Sequence, residues 1–568
     1  MNSLVLALSA FAAYLVAYFT YGKYLGRKIF NLNPNAVMPS HEFNDGVDYV
    51  PTKKNIIFGH HFTTIAGLGP IVGPAIGIIW GWVPAFIWVF LGSVFMGAVH
   101  DFSTMVVSAR NQGKTIGDLT GDLIGPGTRY AFQFMMQFLL FIVLSVFAMI
   151  VGVLFDLYPE AVFPVWMQIP IAVWLGWQIR SGKNDLLYSI IAVALMYATV
   201  IAGVYLPVRV PEIMGSSVVT WCIILFIYVY FASTVPVQKL LQPRDYINSH
   251  QLLIAILLLV TGLIVAHPVI IAPAFNEAAR AEGTDIPSMM PLLFITIACG
   301  AISGFHSLAS SGTTVKQVDR EHDTLFIGYG GMLWESFLAV LVLMAVGAGL
   351  GLGLEKDNTL LTGAEAFKQH YSSWSAFAGI EAKLEAFVVG SSNLFKSFGI
   401  PHVFGKSMIA VFIVSFANTT LDSAARIQRL SLQEIFRNRE GKIRKPMDNR
   451  YVATFFVVMA AMIMTFLKPG ATGALVLWPL FGSLNQLLAA LALGVVTLYL
   501  LIKKRNILIT LIPMIFVLVI TVWAMIINLL QFAQSNDYLL VVLSAIILFL
   551  TAWLLVSGIG SLRKSISV

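Results

Sequence analysis

The sequence predicts an all-α polytopic membrane protein, and three observations carry that prediction. Of 568 residues, 58% are hydrophobic and only 11% are charged, against about 25% charged in an average soluble domain. Apolar runs follow one another from Ser3 to Gly558, many of them longer than the ~18 residues that mark a spanning helix. The runs are continuous, unlike the alternating ~10-residue segments of a transmembrane β-barrel. Cys222 and Cys299 both fall inside apolar runs and read as small packing residues, not as a disulfide or a metal pair. The first run has no basic leader and is followed by "YGKYLGRK", so it reads as a retained span and not as a cleaved signal.

In chain order, the apolar pattern gives about fifteen spans: 3–21, 64–80, 82–108, 128–154, 161–179, 185–206, 217–234, 249–272, 289–312, 326–354, 405–430, 450–467, 473–502, 507–531 and 538–558. With the N-terminus outside and the C-terminus cytoplasmic, 27 of the 35 Lys and Arg residues fall on the inner side. That asymmetry is what the positive-inside rule requires of a multi-pass protein of the cell inner membrane. The net charge of +7 therefore reports topology, and nucleic acid is not an expected partner. The largest outer segment is 355–404, in which 380–398 suits an amphipathic helix packed as a lid. The inner stretch "RNREGKIRKPMDNR" (437–450) is a basic tether suited to anionic membrane lipid.

The second span interrupts itself. "FGHHFTTIAGLGPIVGP" (58–74) places several glycines, Pro70 and Pro74 where a helix should cross the bilayer. Unwound backbone at that depth is tolerated only where it lines a protein cavity, and transporters hold substrate at such breaks. Five spans later, 217–234 runs in the opposite direction and ends in "FASTVPVQK". This spacing and inversion predict a LeuT-like core of two inverted five-helix repeats, with extra helices at both ends. The chain then reads as one transporter domain: an N-terminal helix and inner loop (1–57), the core (58–436) and C-terminal helices (437–568). Gly67, Gly69 and Gly73 at the first break, Ser233 and Thr234 at the second, and His306 are the candidate substrate contacts. Free amides at a half-helix N-terminus favour a carboxylate, and no arginine is expected deep in the membrane to clamp it.

Ionisable groups inside a bilayer are costly and so are functional candidates. His60, His61, His100, Asp101, Glu335 and Asp422 are the candidates for carrying a coupling proton. Asp422 and Arg426 stand at i,i+4, which predicts a helix ion pair. Ser307, Ser310, Ser311 and Thr314 fall on the eighth core helix and are candidates for a sodium-like cation site, or for hydroxyl caps. Asn485 and Gln486 read as interhelical hydrogen-bonding residues outside the core. His60, His61, His100 and Asp101 are metal-ligand types, but no HxxxH or HExxH spacing accompanies them, and adjacent histidines on a helix point about 100° apart. No metal or other cofactor is expected. With no GxxxxGK[ST] motif, ATP is not the expected energy source, whereas a membrane potential supplies ~2.3 kcal/mol per charge per 100 mV.

At these motifs the sequence resembles the carbon starvation protein A (CstA) family. The residues that carry the resemblance are "DGVDYVPT" (45–52), "FGHHFTTIAGLGPIVGP" (58–74), "WGWVPAFIW" (80–88), "GAVHDF" (97–102), "SGFHSLASSGTTVKQ" (303–317), "IGYGGMLWES" (327–336) and "WPLFGSLNQLLAALAL" (478–493). The resemblance implies an inner-membrane transporter of bacteria or archaea, induced when carbon is scarce, in a family associated with uptake of peptides and of pyruvate driven by protons. It also implies the amino acid–polyamine–cation superfamily, in agreement with the five-plus-five reading. It supplies no assigned site residues. The expectation is a secondary active importer, not an enzyme, of a small carboxylate such as pyruvate, coupled to protons or to sodium. A short-peptide transporter on the same scaffold is the alternative. A membrane sensor or receptor is the alternative of another class, and it would need a signalling domain that the sequence does not display.

Overall fold

The computed structural model describes residues 1–280, 283–375, 379–438 and 442–566. Arg439 of the predicted basic tether lies outside them. In chain order the main helices are α1 (Ser3–Ile29), α2 (Lys54–Ile65), α3 (Gly69–Trp80), α4 (Trp82–Ala109), α5 (Pro126–Leu157), α6 (Pro159–Arg180), α7 (Asp185–Tyr205), α8 (Ser217–Thr234) and α9 (Leu241–Ala266). They continue with α10 (Met289–Thr296), α11 (Gly304–Gly312), α12 (Leu325–Leu352), α13 (Ile380–Lys396), α14 (His402–Ile435), α15 (Arg450–Thr465), α16 (Pro469–Ile502), α17 (Leu508–Gln534) and α18 (Tyr538–Ser561). A two-stranded hairpin, Leu354–Lys356 with Thr359–Leu361, sits between α12 and α13.

Among the described residues, twelve helices are long and apolar enough to cross a bilayer, and the bent pair α2–α3 makes a thirteenth. Two others of the fifteen predicted spans do not form a single helix of spanning length. Span 450–467 forms α15, whose 16 residues reach ~24 Å against a hydrocarbon thickness of ~30 Å. Span 289–312 is not one helix but two, α10 and α11, separated by 297–303. The centre of the bundle is α5, α12, α14 and α16, whose most apolar stretches are 83–94% buried, whereas α1, α7 and α18 lie at the rim with 28–33% buried. The predicted lid at 380–398 is α13; it packs on α12 so closely that a Cβ at Gly390 would sit 2.1 Å from the Ala345 carbonyl oxygen.

The first break falls at the start of the predicted stretch, at Ala66–Leu68, and Gly69 and Gly73 are themselves helical. α2 ends at Ile65, the chain passes through Ala66–Leu68, and α3 leaves at 43° to α2. Pro70 lacks an N–H and suits the first turn of a new helix. The second break does not fall at Ser233–Val235. α8 is unbroken to Thr234, and Pro236 then drives Val235 into extended backbone (φ −72°, ψ 144°), so the helix simply stops there. Ser233 and Thr234 direct their hydroxyls to carbonyls of their own helix, Val229 (2.8 Å) and Phe231 (2.9 Å). A second interrupted segment is instead 297–303.

The two broken segments lie side by side and antiparallel. His60 and His61 meet Thr313 and Thr314, whereas Gly69 faces Cys299, Gly73 faces Thr296, and Gly77 faces Leu293 and Ile297. The inverted arrangement of a LeuT-like core is therefore present, but six unbroken spans (α4 to α9) separate its breaks.

Candidate substrate and proton site

Close backbone approach defines the breaks. A Cβ on Gly69 would sit 2.2 Å from Cys299 Sγ, one on Gly73 would sit 2.8 Å from the Thr296 carbonyl oxygen, and one on Gly67 would sit 2.4 Å from Thr420 Oγ1. Only glycine lets the two broken chains and α14 come this near. Unwound backbone must also be satisfied, and side chains from distant helices supply the partners. Thr420 donates to the Thr64 carbonyl (3.1 Å). Asn485 Oδ1 accepts the Phe305 N–H (2.9 Å), capping the start of α11. Gln486 donates to the Phe294 carbonyl (2.6 Å), and Trp88 Nε1 to the Ile297 carbonyl (3.2 Å). Asn485 and Gln486 thus serve the broken helix directly and are not remote from the core.

Several predicted proton carriers converge beside the second break. Asp101 on α4 joins His100 Nδ1 through Oδ1 (2.9 Å) and His306 Nδ1 through Oδ2 (3.0 Å). On the far side of that imidazole, His306 Nε2 lies 3.4 Å from Glu335 Oε2 on α12. All four side chains are fully buried, and neither Glu335 oxygen makes a hydrogen bond. The imidazole of His306 can carry its proton on either nitrogen, one hydrogen-bonded to Asp101 and the other facing Glu335 across 3.4 Å. His61 stands nearby, with Nδ1 on Thr314 Oγ1 (3.0 Å) and Nε2 unpartnered.

His60 points elsewhere, as adjacent helix positions must. Its Nδ1 meets Asp245 Oδ2 at 2.5 Å. Asp245 neighbours Arg244, whose guanidinium bonds Asp422 and the Tyr228 hydroxyl, and Tyr228 in turn donates to Asp422 (2.9 Å). The predicted Asp422–Arg426 pair is therefore not made. Arg426 turns to Asp48 (2.6 Å) and to the Val235 carbonyl, while Arg429 grips the same Asp48 carboxylate at 2.8 Å and 2.9 Å. Burial alone would raise the Asp48 pKa, but Arg429 and Arg426 together hold it well below the ordinary carboxylate range. Two arginines are buried here: Arg244 is 3% exposed and Arg426 is 0% exposed. Sequence reading missed Tyr228, Arg244, Asp245, Asp48 and Arg429. Arg244 and Asp245 were placed outside the span because their charge masked the first turn of α9, although Pro243 beside them is a helix-start signal.

Three of the hydroxyls proposed for a cation have separate hydrogen-bond partners. Ser307 and Ser311 donate to carbonyls of their own helix, at Gly304 and Ser307, and Thr314 serves His61. Ser310 Oγ has no partner. Among the described residues, no three His, Cys, Asp or Glu side chains gather as metal ligands. A cavity of about 520 Å³ reaches the two breaks from the end of the bundle that bears α13, with Gly69, Gly73, Thr296 and Cys299 on its walls.

Residues 2–524 match the family described as Carbon starvation protein CstA. The chain belongs to the CstA family. It is 31% identical to the "Peptide transporter CstA" of Campylobacter jejuni, over 94% of this chain and 82% of that protein. It is 32% identical to the "Pyruvate/proton symporter BtsT" of Escherichia coli, over 92% and 81% of the two chains. Among solved structures, a mutant of the Eremococcus coleocola manganese transporter covers 92% of this chain and 99% of its own, with a TM-score of 0.51 at 11% identity. That last likeness is one of fold, and it accords with the facing helix breaks. This member of the CstA family is a multi-pass membrane transporter with a LeuT-like core.

Proposed function

We propose that this CstA-family protein is a secondary active importer of a small carboxylate, pyruvate foremost, driven by protons through alternating access. The observation that carries the reading is the buried series Glu335–His306–Asp101–His100, in which α12 and α4 meet the second broken helix at His306. A fixed series of protonatable groups beside a substrate break couples two events: loading a proton changes the charge next to the break, and that charge biases which end of the cavity opens. His60, His61 and Asp422 extend proton handling toward the first break. The substrate carboxylate lies against the unwound backbone at Gly67 and the first turns of α3 at Gly69 and Gly73, with His306 facing it. The similarity to the pyruvate/proton symporter supports both the substrate and the ion. The transport unit runs over 58–436, which carries both breaks and the proton series, and 1–57 and 437–568 flank it. In the cell inner membrane the N-terminus faces outward and the basic end faces the cytoplasm.

The second reading is a short-peptide importer. The cavity of about 520 Å³ favours it, since that volume sits within the ~300–1,000 Å³ of ordinary ligand pockets, and the Campylobacter relative is named for peptides. Uptake of labelled pyruvate and labelled dialanine by purified protein in liposomes separates the two. Imposed proton and sodium gradients, applied singly, identify the ion. Concentrative pyruvate uptake on a proton gradient alone supports the first reading; uptake of dialanine without pyruvate replaces it with the second.

A further inference from the structure

The cavity that ends at the two helix breaks carries two charged side chains on its walls, Asp285 and Lys383. They are not equivalent. The Asp285 carboxylate is saturated: it accepts the Trp374 N–H (2.9 Å), the Ser375 N–H (2.8 Å) and the Ser375 hydroxyl (2.6 Å). Those bonds tie down the loop above the cavity. Lys383, in the first turns of α13, is half-buried and has no ion-pair partner among the described residues. Burial pushes its ammonium below the ordinary lysine range, and no acidic side chain offsets that push. A half-buried cation without a counterion is unusual, because desolvation disfavours it unless an anion comes. Below it the walls are apolar or neutral: Val72, Ile76, Thr296 and Asn528 lead down to Gly69 and Cys299. Asp285 keeps its negative charge but is exposed to water, which screens it, whereas Lys383 is half-buried with no ion-pair partner among the described residues, so the field on its side of the passage favours anions.

We propose that Lys383 is the anion-capture residue of the substrate path: it draws a carboxylate to the mouth of this cavity and delivers it toward the first turns of α3 at Gly69–Gly73, beside the break. The inference rests on the carboxylate-importer reading. It adds the residue that selects anionic solutes before they reach the breaks. Both a monocarboxylate and a short peptide carry the group it recognises, but the monocarboxylate has no amine to offset the attraction, so it gains more.

Cys299 on the cavity wall gives a test that does not need transport. In a Cys222→Ala background, Cys299 is modified from the α13 side by methanethiosulfonates of equal size, one bearing a sulfonate and one a trimethylammonium. The expected result is that Lys383→Gln lowers the ratio of anionic to cationic rates by about threefold or more, and that Lys383→Glu lowers it further. Lys383→Arg should restore it. For transport, Lys383→Gln should raise KM for pyruvate by a similar factor with kcat unchanged, and raise KM for dialanine less. An unchanged rate ratio overturns the proposal, as does failure of Cys299 to react from that side. If the protein carries neither carboxylate, the importer reading falls, while the Cys299 ratio still decides the role of Lys383.

Discussion

Glu335 is the residue on which the proton reading turns. It is fully buried, 3.4 Å from His306 Nε2, with both oxygens free of hydrogen bonds. Gln keeps its size and removes its proton chemistry. Glu335→Gln should therefore abolish proton-driven accumulation in liposomes while substrate exchange across the same membrane continues. Undiminished uphill uptake would remove Glu335 from the coupling path. Asp48 tests the opposite role, a structural one. Its carboxylate joins Arg426 and Arg429, and removing one partner of a buried pair costs about 3–5 kcal/mol. Because its folded pKa is depressed, its contribution is complete above the unfolded value of about 4 and is lost as pH falls through the lower folded value. The melting temperature of Asp48→Asn in detergent should lie below that of the parent by a constant margin from pH 5 to 8. The margin should narrow below pH 4. A margin that changes between pH 5 and 8 would assign the effect to other groups.

At the scale of elements, the two breaks differ in how they are made. The α2–α3 break is written locally, in Gly67, Gly69 and Pro70, and was legible for that reason. The α10–α11 break, "IACGAIS", contains no proline; Asn485, Gln486 and Trp88 hold it open from other helices. Proline was the misleading cue, because Pro236 ends α8 without breaking it. Helix pairing misled in the same way: the local i,i+4 partner of Asp422 lost to Arg244, 178 residues away in the chain. The close approach at Gly69 yields its own prediction. Gly69→Leu places a side chain where Cys299 already stands, with the Cβ alone 2.2 Å from its sulfur. Substrate binding should fall by at least tenfold in equilibrium titrations of folded, monodisperse protein. Parental affinity would exclude this break from the site.

At the scale of the whole molecule, the charge asymmetry sets a testable orientation. Cysteines introduced at Asn358, in the hairpin before α13, and at Lys503, at the end of α16, lie at opposite ends of the bundle on the proposed topology. In a background without native cysteines, a membrane-impermeant maleimide added to intact cells should label the first and spare the second. The reverse pattern would invert the protein in the membrane, and with it the side from which Lys383 meets its anion.

By itself the sequence determined the solvent of this protein, its helical class, the place of one helix break and nearly all the ionisable groups beside the proton series. Those features follow from local composition: a bilayer demands apolar helices, and glycine with proline breaks them where they stand. Only the tertiary structure decided which second segment unwinds, which carboxylate each arginine holds, and that Asp101, His306 and Glu335 form one series. Such choices depend on partners far apart in the chain, and buried polar groups accept whichever partner the packing brings within hydrogen-bond reach.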